Sequence, residues 1–176
     1  RGSWAADGRA AVAFVFGDPR RLLTGGPRYD LVLNAMPEPS SGQASRFYTS
    51  EFFAQCRRVL RAGGVLAVRL PSSENFWTMA LRQRNASIYL ALRTAFPHVS
   101  VVPGTTLYLF ASDTVLPDGA VVASRLAAHL GPVRLATAAW GRYLYDSDRR
   151  AEVQGWLAST LAPVNTDVRP ACYQQT

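Results

Sequence analysis

Histidine and cysteine are scarce in this 176-residue chain, with two of each. That scarcity removes whole classes of chemistry. Cys56 and Cys172 have no metal-ligand spacing, and His98 and His129 stand alone, so no metal centre is expected. Long hydrophobic runs are missing as well. No stretch approaches the length needed to cross a bilayer, and the opening residues lack the basic-then-apolar order of a secretory leader. Internal repeats and low-complexity linkers are absent. Acidic residues are the minority, 12 against 19 basic, which leaves a formal charge of +7. The arginines are scattered along the chain and not gathered into one run, so no nucleic-acid partner is expected from charge alone. A basic surface serves equally to attract an anionic ligand or to lie beside lipid.

What is present is the composition of an ordinary folded domain, 48% hydrophobic and 18% charged, long enough to bury a core. The stretch from Tyr29 to Gly64 organises it. Tyr29-Asp30-Leu31-Val32-Leu33 is a short apolar run suited to a buried strand. From Asn34 to Gln43 the chain is loop, because Pro37 and Pro39 remove amide donors and fix φ. Thr49 then caps a helix with Glu51 in its first turn and Phe52, Phe53, Cys56, Val59 and Leu60 on one face. Gly63 and Gly64 are expected to end that helix. Val65 to Val68 reads as a second, parallel strand, giving a βαβ unit whose loop lies at a carboxyl strand edge, where open α/β sheets bind ligands.

Around this unit, residues 1–10 read as irregular and Ala11 to Phe16 as a strand. Asp18 stands before Pro19, either as a helix cap or as an acceptor for a bound nucleoside. Past the second strand lies another polar loop, Arg69-Leu70-Pro71-Ser72-Ser73-Glu74-Asn75-Phe76-Trp77. Helical spacing resumes from Asn85, with Ile88, Leu92 and Phe96 on one face and Pro97 as the stop. Val99 to Val102 and Thr106 to Ala111 flank a turn and read as an antiparallel edge. Asp118 opens a helix that Gly131 and Pro132 close. The aromatic cluster Trp140 to Tyr145 reads first as a packing seam and second as a ligand wall. Val153, Trp156, Leu157 and Leu161 mark a last helix face, and the tail from Pro163 to Tyr173, with Asn165-Thr166-Asp167 and then Arg169-Pro170, reads either as a hydrogen-bonded loop folded back over the domain or as a surface tail.

In order along the chain, several of these motifs resemble those of the spermidine synthase-like aminopropyltransferases. They are Gly17-Asp18-Pro19-Arg20-Arg21, Tyr29 through Pro39, Phe47-Tyr48-Thr49-Ser50-Glu51, Arg61-Ala62-Gly63-Gly64, Ser72-Ser73-Glu74-Asn75, Phe96-Pro97-His98 and Asn165 through Pro170. The likeness is closest to the branch fused to a membrane-spanning region. It implies one α/β domain over residues 1–176, Rossmann-like, with a methyltransferase-type sheet and an antiparallel edge. It also implies that the chain is the C-terminal portion of the full fold, incomplete on the N-terminal side. In the family order 3-2-1-4-5-7-6, Ala11 to Phe16 would be strand 3 and Leu31 to Leu33 strand 4, with the missing strands 1 and 2 supplied from upstream sequence, from another chain or by a rearranged sheet, and the glycine-rich donor loop lying upstream.

The resemblance further implies decarboxylated S-adenosylmethionine, or S-adenosylmethionine, as a co-substrate and no permanently bound cofactor. Asp18, Asn34 and Ala35 would face that nucleoside. Glu38, Gln43, Tyr48, Glu74, Asn165 and Asp167 would serve a polyamine acceptor. The implied location is cytoplasmic, with membrane association through the absent upstream region. One departure is chemical: the family's loop aspartate, which helps deprotonate the attacking amine, falls on Ala35. A neutral amine is a minority species near pH 7, so a missing base matters. Glu38, three residues on, is the candidate catalytic carboxylate, and Asp30 is a second one only if it turns toward the loop. Three activities fit this pattern: aminopropyl transfer, methyl transfer on the same scaffold, and a catalytically degenerate structural or sensory domain.

Overall fold

The computed structural model describes residues 2–6, 10–74, 76–129 and 137–172. Strands β1 (Gly2–Ala6) and β2 (Ala10–Phe14) form an antiparallel hairpin. Strands β3 (Tyr29–Asn34), β4 (Leu60–Pro71), β5 (His98–Val102) and β6 (Thr106–Ser112) form a separate four-stranded sheet in the order β3-β4-β6-β5. Seven helices are described: α1 (Pro19–Leu22), α2 (Gly42–Ser45), α3 (Ser50–Val59), α4 (Met79–Ala95), α5 (Gly119–His129), α6 (Ala138–Asp146) and α7 (Asp148–Ser159).

The parallel pair β3 and β4 is in register at Val32 with Leu66, and α3 makes the crossover between them. β6 returns antiparallel to β4, and β5 completes the edge antiparallel to β6. With β3 as strand 4 and β4 as strand 5, the order matches the 4-5-7-6 half of the expected sheet. The fold is a mixed α/β, Rossmann-like arrangement of the methyltransferase type.

Alternation builds the core. Leu66, Val68 and Leu70 of β4 point to one face together with Leu107 and Leu109 of β6, all buried. Against them pack Phe52, Phe53 and Cys56 from α3 and Ile88, Tyr89 and Leu92 from α4. Each fully buried Leu or Phe contributes about 1.5–3 kcal/mol, so this layer dominates the stability. α7 adds Val153 and Leu157 to the same core, and Arg150 ties it to β5 by donating to the Val101 carbonyl at 3.0 Å.

Several expectations require correction. Residues 2–6 of the opening segment are not irregular: they give no alternation to read, yet Gly2–Ala6 pairs with β2 along its whole length. Gly63 and Gly64 do not end α3, which stops at Val59, while β4 already begins at Leu60. Gly63 takes a φ of 73° where the β3–β4 register shifts, and a Cβ on Gly64 would meet the Arg61 carbonyl at 2.9 Å and the Tyr29 carbonyl at 3.1 Å. These glycines therefore serve strand pairing. α4 starts at Met79, well before Asn85, because Thr78 caps it by accepting from the Leu81 amide at 3.1 Å. Leu161 lies past the end of α7 and is exposed. Trp140 and Tyr143 are exposed too, which moves them from packing seam to cavity wall.

Strand β2 pairs only with β1 among the described residues, and β3 is an edge of its sheet. Leu31 and Leu33 on that edge are 59% and 62% exposed, an unusual state for apolar residues of a parallel strand. The expected helix stop at Gly131 and Pro132, and the loop residue Asn75, lie outside the described residues.

Candidate functional site

Strand β3 ends at Asn34 because its buried side chain leaves the ladder, with Nδ2 donating to the Phe47 carbonyl at 2.9 Å and Oδ1 accepting from the Met36 amide at 3.4 Å. Pro37 and Pro39 follow and cannot restore strand pairing. Tyr48 fixes the loop from below. Fully buried, its hydroxyl donates to the carbonyls of Met36 at 2.8 Å and Pro37 at 3.1 Å. Burial is the main cause that pushes the Tyr48 phenol up to about 12, so it is a neutral post for the loop at any ordinary pH.

Above this post, at the carboxyl ends of β3 and β4, lies a cavity of 420 Å³ walled by Ala35, Glu38, Tyr48, Arg69, the turn residue Thr105 and Thr106 at the start of β6. Among the described residues Glu38 is its only carboxylate, and it is ion-paired with Arg84 from the first half of α4. Ala35 presents a methyl group where a proton acceptor was expected. Arg69, the last charged residue of β4, makes no hydrogen bond or ion pair with any described residue, nor do the hydroxyls of Thr105 and Thr106. Ser72 Oγ at the same edge is covered and has no partner.

The remaining sequence-derived candidates stand elsewhere. Asp18 caps α1, accepting from the Arg20 amide at 3.0 Å, and its second oxygen holds Arg46 at 2.9 Å. Those two interactions, the backbone hydrogen bond foremost, lower its pKa against the opposing effect of burial. Asn165 is buried behind the site, donating to the Tyr48 carbonyl at 2.9 Å and accepting from the Cys172 amide at 3.2 Å. Asp167 accepts from Thr49 Oγ1 at 2.7 Å, at the cap of α3. The tail loop therefore supports the Tyr48–Thr49 segment from outside and does not line the cavity. Gln43 is an exposed residue of α2. Asp30 pairs with Arg61 across β3 and β4 and does not turn toward the loop.

Glu74 lines a second cavity, of 510 Å³, with Trp140, Tyr143 and Arg149. It meets the first cavity at Thr105, which lines both. Of the candidates, the structure thus gathers Ala35, Glu38 and Tyr48 at one place. Reading the sequence missed Arg69, Arg84, Thr105 and Thr106. Arg69, expected to open the polar loop, stands inside β4, which runs on to Pro71; its one available signal was a charge directly after the apolar run Val65 to Val68.

Comparison with known proteins agrees with this architecture. No family model matches the chain. It is 31% identical over 110 residues to a polyamine aminopropyltransferase 2 of Streptomyces coelicolor, covering 56% of this chain and 20% of that protein. It is 29% identical over 122 residues to a polyamine aminopropyltransferase 2 of Hyperthermus butylicus, covering 66% of this chain and 39% of that protein. The chain thus spans well under half the length of these curated relatives. Among solved structures it resembles a probable spermidine synthase from Corynebacterium glutamicum with a TM-score of 0.52 and 20% identity, over 84% of this chain and 52% of that one.

Proposed function

We propose that this chain is the acceptor-side portion of an aminopropyltransferase-like domain. The observation that carries the reading is the cavity at the carboxyl ends of β3 and β4, with Glu38 on its wall. It lies in a sheet whose order fits half of the expected fold. The amine-bearing acceptor occupies this cavity. Its neutral nitrogen attacks the carbon next to the sulfonium of a decarboxylated S-adenosylmethionine, and methylthioadenosine leaves with the sulfur's electron pair. Glu38 is the group that takes the proton, and Arg84 sets the orientation of its carboxylate.

The donor lies on the other side of β3, near Asn34 and Ala35. Both side chains are spent or apolar, so contacts there are made by the backbone. Asp18 reaches the nucleoside only by giving up Arg46. Strands that cover the open edge of β3 come from upstream sequence or a second chain, and such strands would bury Leu31 and Leu33. Gln43, Glu74, Asn165 and Asp167 belong to the acceptor side, Asn165 and Asp167 as supports of Tyr48 and Thr49. A membrane-fused parent is part of the same proposal; among the described residues no helix is long and apolar enough to cross a membrane.

A second reading, a catalytically degenerate domain of the same fold, is favoured by one observation: Ala35 carries no acid-base group and Glu38 is already neutralised by Arg84. The two readings separate in one experiment. The natural protein with its upstream sequence is titrated with methylthioadenosine, decarboxylated S-adenosylmethionine and S-adenosylmethionine. Binding of the first two, with a loss of aminopropyl transfer of at least a hundredfold in Glu38→Gln, supports the transferase. Failure to bind any of the three overturns it in favour of the degenerate domain.

A further inference from the structure

The charge pattern of the main cavity is not that of a receptor for a simple polycation. Its single carboxylate, Glu38, is committed to Arg84. Its one uncommitted charge is the guanidinium of Arg69, positive and without a hydrogen-bond or ion-pair partner among the described residues. Around Arg69 the unspent polar groups are hydroxyls, those of Thr105 and Thr106 and the covered Ser72 Oγ.

A guanidinium offers two parallel N–H donors in a planar fork, which match the two oxygens of a carboxylate. Hydroxyls can donate to the lone pairs that the fork leaves open. An ammonium group finds the reverse here, like charge at Arg69 and a carboxylate partner already occupied. Binding a linear diamine would place two cations in a cavity that retains one uncompensated cation of its own.

We propose that the cavity recognises its ligand through a carboxylate held by Arg69, with Thr105 and Thr106 as further donors, so that the ligand is an amino acid-like molecule and not a simple diamine. The identity of its amine as the reacting end, placed at Glu38, rests on the transferase reading given above. The carboxylate contact itself does not.

The test is calorimetric titration of the full natural protein with 5-aminopentanoate, 1,5-diaminopentane and inorganic phosphate, with methylthioadenosine titrated in the same preparations. The expected result is that 5-aminopentanoate binds at least tenfold more tightly than the diamine. Arg69→Gln should weaken it at least tenfold and leave the methylthioadenosine affinity unchanged. Arg69→Lys keeps the charge without the fork and should fall between the two. Because Arg69 is exposed and has no partner among the described residues, both variants should melt like the parent, and Thr105→Val supplies an independent, smaller loss. Equal or tighter binding of the diamine, an unchanged affinity in Arg69→Gln, no binding of 5-aminopentanoate, or phosphate binding as tightly with the same dependence on Arg69 each overturns the carboxylate assignment. If nucleoside binding fails while the Arg69-dependent binding persists, the transferase reading falls and this inference stands.

Discussion

Arg20 and Asp167, 147 residues apart, grip each other through two parallel hydrogen bonds of 2.8 and 2.7 Å. The same carboxylate accepts from Thr49 Oγ1 at 2.7 Å, and Glu51 accepts from the Asp167 amide at 3.0 Å. One ion pair thus joins the segment before β3, the start of α3 and the C-terminal loop. It fastens the backbone that carries Tyr48, and through Tyr48 the loop that walls the cavity.

Replacing Asp167 by Asn should cost about 1 kcal/mol, since a charge-assisted bidentate pair is worth more than a neutral hydrogen bond but solvent screens it. The Asp167 side chain is 35% exposed, which is why a buried-pair value does not apply. The hydrogen bond from Arg20 is the main cause that holds the Asp167 carboxyl below its ordinary 3.8. A depressed carboxyl stabilises the folded state fully above that ordinary value and loses the contribution as pH falls through the lowered one. Urea melts at pH 7 and pH 3 should therefore show a smaller gap between the parent and Asp167→Asn at the lower pH.

Thr49 is buried and serves twice, as the cap of α3, accepting from the Phe52 amide at 3.2 Å, and as a donor to Asp167. Thr49→Ala should destabilise by about 1–2 kcal/mol, with Thr49→Ser retaining most of the stability. Thermal denaturation of the two variants side by side measures the difference.

Gly64→Ala puts a methyl group against two backbone carbonyls where β3 meets β4. Neither can yield without disturbing the parallel ladder, so a loss of about 1–3 kcal/mol is expected. Amide exchange should quicken first at Leu31 to Leu33 and their partners Val65 to Ala67.

Leu33→Glu reports on the open edge of β3. In the 176-residue chain the side chain is exposed, and the substitution should change stability by less than about 0.5 kcal/mol. Where further strands cover that edge, as the proposed upstream segment or second chain would, the same change would become a loss of about 2 kcal/mol or more. Equal small effects in both would remove the idea that further strands extend the sheet at β3.

Cys56 is fully buried, and burial is the main cause that pushes its thiol up to about 12. Cys172 is buried as well, its thiol raised chiefly by burial, with Ser45 Oγ at 3.2 Å from the sulfur. Both should resist alkylation in the native state and react together across the urea transition, as mass spectrometry of the modified chain would read.

Local chemistry was legible in the residues themselves. Thr49 as a cap, the face of Phe52, Phe53 and Cys56, the parallel run Val65 to Val68 and the antiparallel pair after Pro97 depend on spacing and on turn residues only a few positions away. So did most of the loop expected from Asn34 to Gln43, because proline acts on its own backbone, although Asn34 still belongs to β3 and Gln43 stands in the short helix α2. The expected sheet order came from the resemblance and matches the observed half.

What only the tertiary structure decided is how charges and edges meet. Gly63 and Gly64 look like a helix stop until the β3 carbonyl of Tyr29 is seen beside Gly64. Glu38 reads as a free base until Arg84 arrives from α4, and Asp167 reads as a ligand contact until Arg20 reaches it from the other end of the chain. Arg69 carries no motif at all. Its significance arises because β4 delivers it to a cavity whose other charge among the described residues, Glu38, is already paired. The sequence determined which segments fold, since propensity and capping are local; pairing in space determined which side chains remain available to a ligand.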